Sequence, residues 1–244
     1  MNNVYLAFLL SFFAGISTLV GVVPIFIKGV NIDKIICSSL SFASAVMLFI
    51  SIFDLLPESF YFLNKYDVIF KIFIIYFSLV LGLIICFLLD KNISSDNGLY
   101  KVGLLSFFAI IVHNIPEGII TFITTTRDLK LGISLSIAII LHNIPEGISI
   151  SLPIFYSTGS KYKAFYYTFL SGISELFGAI LTYLFLSKVI NNFILGVVLA
   201  LTAGIMIYIS LCELLPSSLS YNNIKIFFIS FVFGLIIVIF SLLL

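Results

Sequence analysis

The sequence predicts an all-α integral membrane protein with eight transmembrane helices, and three observations carry that prediction. Of the 244 residues, 61% are hydrophobic and only 9% are charged. The mean hydropathy is +1.27. Apolar runs of about 20 residues, the length of a bilayer-spanning helix, recur from end to end. In lipid the backbone has no partner but itself, so spanning segments are helices or closed barrels. Barrel strands would be shorter and would alternate apolar with polar residues, which these runs do not. The predicted spans are residues 4–26, 35–57, 69–89, 102–124, 131–154, 164–187, 192–215 and 224–244. Only short connections remain, so residues 1–244 read as one transmembrane domain. A net charge of +1 scattered over short loops offers no basic patch for nucleic acid.

The first span has no basic segment before it and no small-residue cleavage site after it, so it reads as retained rather than as a signal peptide. Span 2 ends in MLFISIFDLLP, Met47 to Pro57, which matches MIYISLCELLP, Met206 to Pro216, at the end of span 7. Met, Ser, an acid, Leu-Leu and Pro stand in register. Spans 2 and 7 run in opposite directions, so this repeat and the one in spans 4 and 5 fit a single two-fold axis in the membrane plane. Such an inverted repeat, relating spans 1–3 to 6–8 and span 4 to span 5, is a pattern of secondary transporters. Asp54 and Glu213 then come near opposite faces. They read equally as interfacial acids ending a helix before Pro and as groups on an ion path, along with Ser51, Met47 and Met206 of the same stretches. Spans 3 and 8 are read from apolar length alone.

Spans 4 and 5 hold the only two histidines, and each opens the same six residues, HNIPEG, at His113–Gly118 and His142–Gly147. At about 100° per residue, His113 and Glu117 share one helix face, with Asn114 beside them. His142, Asn143 and Glu146 repeat the set. Pro116 and Pro145 cannot close the helical bond to the carbonyls of Val112 and Leu141, and Gly118 and Gly147 let helices approach closely. Span 6 adds Glu175. Glu117, Glu146 and Glu175 follow at intervals of 29 residues, one span plus one short loop, which brings all three to a similar depth.

A charged side chain at that depth costs about 2.5 to 3.5 kcal/mol on insertion scales. Every Lys and Arg falls at a loop or a span end, so none neutralises these acids. Either the carboxylates are protonated, or a cation supplies the positive charge, and the two imidazoles beside them favour a metal.

The stretch from His142 to Leu184 (HNIPEGISISLPIFYSTGSKYKAFYYTFLSGISELFGAILTYL), together with HNIPEGIITF from His113, resembles the ZIP family of divalent-metal transporters, in particular its bacterial zinc-transporting branch. The resemblance implies the ZIP fold and a binuclear site in mid-membrane. His113, Glu117, His142 and Glu146 would hold the first metal. Asn114, Asn143 and Glu175 would join the bridging Glu117 and Glu146 around the second. It also implies that spans 1, 4, 5 and 6 move as a bundle against spans 2, 3, 7 and 8. Two features depart from the family pattern: Leu176 follows Glu175 where Pro is expected, and the short segment from Asp90 to Lys101 contains no His.

The reading is therefore a carrier rather than an enzyme, admitting a divalent metal to the cytoplasm as its transported substrate, with no catalytic cofactor. Imidazole, carboxylate and amide donors without thiolate suit Zn²⁺, Fe²⁺, Mn²⁺, Co²⁺ or Cd²⁺ better than Cu⁺. An intramembrane metal-dependent hydrolase is the first alternative, although HExxH is missing. A proton-coupled organic-cation carrier is the second, although it would not need the His-Asn pairs. Cys37, Cys86 and Cys212 are isolated and read as buried small apolar residues. Lys28, Lys34, Lys91, Lys101, Lys161, Lys163 and Lys225 lie on one side of the membrane, against Lys65, Lys71, Arg127, Lys130 and Lys188. That excess places both termini outside a cell membrane. A homodimer is left open.

Overall fold

The computed structural model describes residues 2–27, 29, 31–93, 95–186 and 191–243. Among them eight helices are long and apolar enough to cross a bilayer: α1 (Asn3–Phe26), α2 (Ile32–Phe62), α3 (Val68–Asn92), α4 (Gly98–Arg127), α5 (Leu129–Thr158), α6 (Lys161–Phe185), α7 (Asn192–Leu219) and α8 (Ile224–Leu242). No strand occurs among the described residues. The expected span ends at residues 187 and 244, and Lys28 and Lys188 of the charge comparison, lie outside the described residues.

Several helices begin before their apolar runs do, because polar residues cap them. Asn31, Asp67, Asn97, Asp128, Ser160 and Asn191 each accept a hydrogen bond from a backbone N–H two or three residues on. Each bond satisfies a donor that a helix start leaves free. The helices thereby run through Asp33, Lys34, Lys101, Lys130, Lys161 and Lys163. Asp128 also ends α4, so a single residue joins α4 to α5. Gly159 closes α5 in the left-handed region at φ 68°, where the absence of a Cβ avoids a clash.

Among the described residues, four helices are irregular. α1 tightens to 3₁₀ geometry from Thr18 to Phe26, and α6 widens to a π turn at Thr182–Leu186. α2 and α7 widen at Ser51–Leu55 and Ile209–Leu214, the two stretches whose sequences repeat. Pro57 and Pro216 follow two residues after these π turns and lack the N–H that would close an α-turn behind them. The helix does not stop at either proline but continues to Phe62 and Leu219. Asp54 and Glu213 therefore sit inside their helices, and the reading that they merely end a helix is corrected. Around Glu175, by contrast, α6 is regular despite Leu176, with unbroken α geometry from Lys161 to Leu181.

Packing follows the inverted repeat. α3 lies along α7 as α8 lies along α2; α1 packs on α5 as α6 packs on α4; α1 meets α4 as α6 meets α5. Exchanging α1–α3 with α6–α8, and α4 with α5, turns each of these pairs into its mate. Individual bonds obey the same exchange. Ser59 Oγ donates to the Gly196 carbonyl at 2.7 Å, and Ser218 Oγ to the Cys37 carbonyl at 2.8 Å. Both partners are displaced by 159 residues.

α3 and α8 lie outermost: only 17% of the most apolar window of each is buried, against 67% for α2 and α4. Their outward Phe, Ile and Val side chains suit hydrocarbon, which is as apolar as they are. Cys37 and Cys86 are buried as expected, but Cys212 is exposed. It lies on the π turn of α7 beside the equally outward Leu211, where lipid permits an exposed apolar residue.

Candidate metal centre

The one-residue link at Asp128 fixes the register of α4 against α5. His113 lies 15 residues before it and His142 14 after it. At 1.5 Å per residue both sit about 22 Å from the link, midway along helices of 30 residues each. Glu117 is one turn nearer the link than the histidines, and Glu146 one turn farther from it.

Across this hairpin each histidine meets the other helix's acid. His113 Nε2 is 3.0 Å from Glu146 Oε1 and 3.1 Å from Glu117 Oε1, and His142 Nε2 is 2.7 Å from Glu117 Oε1. Donor atoms of His113, Glu117 and His142 all lie within 4.8 Å of one another. None of these four residues is more than 5% exposed. Only the His142–Glu117 contact has hydrogen-bond geometry; the His113 approaches do not, in spite of their length. Close donor atoms misaligned for bonding one another are what a shared cation would leave.

The asparagines tie the cluster to α1 and α6. Asn114 Nδ2 donates to the Ser171 carbonyl at 3.0 Å. Asn143 Nδ2 donates to the Ala14 carbonyl and to Glu175 Oε2, each at 2.9 Å. Neither amide oxygen has a hydrogen-bond partner among the described residues, nor does Glu175 Oε1, Glu117 Oε2 or either Glu146 oxygen. A buried polar atom without a partner costs about 1–3 kcal/mol, more when charged, and native interiors rarely tolerate several together. The donors left over are carboxylate and amide oxygens beside imidazole nitrogens, a set suited to a divalent transition metal.

Glycines make this reach possible. A Cβ at Gly118 would strike the carbonyl of Glu175, and one at Gly147 the carbonyl of Thr18. Short Asn and Glu side chains can bridge helices only where backbones touch in this way.

The seven residues expected as ligands thus converge: His113, Glu117, His142 and Glu146 in one cluster, with Asn114, Asn143 and Glu175 beside it. The pathway residues are placed differently. Met47 and Met206 are buried in an apolar cluster with Leu40, Leu105 and Ile209. Ser51 Oγ and Ser210 Oγ bond back to the carbonyls of Met47 and Met206 at 2.7 and 2.8 Å. Asp54 and Glu58, one turn on, lie within electrostatic range of Glu117 and His142. Glu213 instead neighbours Asp90 and Lys101.

Sequence reasoning missed Glu58 and the α1 side of the centre. The first was legible as an acid four residues after Asp54. The second was legible in GISTLVG at residues 15–21, which repeats GISELFG at residues 172–178.

The family model described as ZIP Zinc transporter matches residues 92–242. A protein of Clostridium perfringens (strain 13 / Type A) named zinc transporter ZupT is 36% identical, with 100% of this chain and 97% of that protein aligned. Its namesake in Streptococcus mutans is 35% identical over 100% and 98% of the two chains. The one in Oceanobacillus iheyensis is 36% identical over 100% and 99%.

Proposed function

The chain belongs to the ZIP zinc transporter family, and we propose that it carries a divalent transition metal, with zinc foremost, across a cell membrane into the cytoplasm. One observation supports this above the rest. Two buried imidazoles meet the buried carboxylates of Glu117 and Glu146 midway along α4 and α5, a third buried carboxylate, Glu175, is bonded to the adjoining Asn143, and no Lys or Arg forms an ion pair with them among the described residues. A dication is the charge they lack.

In this reading His113, Glu117, His142 and Glu146 hold the first ion. The free oxygens of Asn114, Asn143 and Glu175 complete a second position with Glu117 and Glu146. Iron, manganese, cobalt and cadmium fit the same donors. The whole chain acts as one transmembrane domain with both termini outside, so Asp54 and Glu58 flank the outer approach and Glu213 the inner one.

Uptake of radioactive zinc into proteoliposomes tests the proposal. Glu117→Ala and His142→Ala should each abolish at least nine-tenths of uptake while remaining monodisperse in detergent. Undiminished uptake in both variants would defeat it, and metal-dependent hydrolysis without ion flux would favour an enzyme instead.

A further inference from the structure

The segment around Glu175 has a mate in α1. GISELFG and GISTLVG share five of seven letters across 157 residues, and the fold sets them in equivalent surroundings. Gly118 presses on the Glu175 carbonyl as Gly147 presses on that of Thr18, and Gly15 and Gly172 face each other's carbonyls. Ser174 and Ser17 bond back to the carbonyls of Ser171 and Ala14. Those same carbonyls accept from Asn114 and Asn143.

One bond has no mate. Asn143 Nδ2 also donates to Glu175 Oε2, whereas Asn114 Nδ2 makes only the bond to Ser171 among the described residues. The matching position holds Thr18, whose short side chain turns back to the Gly15 carbonyl at 2.7 Å. Thr18 and Glu175 are both wholly buried. The repeat therefore provides two equivalent cradles beside the His/Glu cluster, and only one carries a carboxylate.

Charge gives the difference a consequence. With neutral histidines, Glu117, Glu146 and Glu175 supply three negative charges, and two dications bring four positive ones. A fourth carboxylate would balance the pair and hold it, because charge left uncompensated in this layer is costly. We propose that Thr18 occupies a second carboxylate position of the metal centre, and that its neutrality keeps the second dication weakly held and therefore releasable. This inference rests on the two-ion reading above.

The test measures Cd²⁺ retained by purified full-length protein in detergent, by elemental analysis and by titration. At saturating free Cd²⁺ wild type should retain two ions, Glu175→Thr one, and the exchange Thr18→Glu/Glu175→Thr two again. A monodisperse exchange variant that retains one ion overturns the inference. Thr18→Asp, close to threonine in size, provides a check that does not depend on the exchange folding. It should bind the weaker Cd²⁺ at least tenfold more tightly and slow uptake several-fold, while Thr18→Asn, of similar shape without charge, should do neither. Unchanged affinity in Thr18→Asp, or equal tightening in Thr18→Asn, overturns the inference. A wild type that retains only one ion overturns the two-ion reading itself.

Discussion

At the scale of single residues, backbone contact and side-chain chemistry make separate demands. Gly118 and Gly147 are demanded by contact: the atom a Cβ would meet is a carbonyl of the facing helix, which cannot rotate away. Overpacking costs about 1–3 kcal/mol, so Gly118→Ala and Gly147→Ala should each lose about 3 kcal/mol in detergent unfolding and weaken metal binding through displaced donors. The histidines are demanded by chemistry. As the proposed ligands, they would bind a metal only when neutral, and binding would displace any proton they carry. Protons compete with the metal for the same ring nitrogens, so affinity should fall as pH falls. Titration of Cd²⁺ binding from pH 7.5 to pH 5.5 should weaken the affinity at least tenfold; a flat profile would exclude His113 and His142 as ligands. The duplicated HNIPEG announced this chemistry in the sequence. The partners of Asn114 and Asn143 were not legible, because their acceptors are backbone carbonyls of Ser171 and Ala14, which any residue type offers.

At the scale of helices, the eight spans were readable from hydropathy, whereas their irregularities were readable only in part. The repeat MLFISIFDLLP and MIYISLCELLP marked where α2 and α7 would behave alike, and prolines marked where the ladder would break. Apolar length could not show that the helices continue past Pro57 and Pro216, since polar Glu58, Ser59, Ser217 and Ser218 follow. Two of those serines hold the continuation in place: Ser59 bonds across to α7 and Ser218 across to α2 at nearly equal lengths. Hydrogen bonds between membrane helices average about 0.6 kcal/mol. Ser59→Ala and Ser218→Ala should therefore each cost about 0.6–1 kcal/mol, and by like amounts, in reversible unfolding. A large inequality would mean that the two ends of the repeat are not mechanically equivalent. The α1 repeat was less legible for a different reason: GISTLVG lacks the acid that marks α6.

At the scale of the whole molecule, the inverted repeat would give both faces the same fastening if it were complete. It is not. On the face where α3 ends and α4 begins, Asp90 pairs with Lys101 and accepts a hydrogen bond from Tyr208 at 2.9 Å, which ties α4 to α3 and α7. The equivalents on the opposite face are Lys130, 29 residues after Lys101, and Phe49, 159 residues before Tyr208. Lys130 is exposed and makes no ion pair among the described residues, and Phe49 has no hydroxyl. The fastening therefore lies on the face near Glu213, while Asp54 and Glu58 on the other lie within electrostatic range of the cluster. If α1, α4, α5 and α6 carry the ion past α2, α3, α7 and α8, this network biases the balance between the two arrangements without touching the ion. Its worth is about 1 kcal/mol, since a partly exposed ion pair contributes little and one hydrogen bond about as much again. A change of that size shifts a two-state ratio about fivefold. Asp90→Asn and Tyr208→Phe should each change the zinc uptake rate two- to fivefold and leave Cd²⁺ affinity within a factor of two. A matching change in affinity would place Asp90 among the groups that bind the ion, and an unchanged rate would mean that the fastening does not oppose the motion.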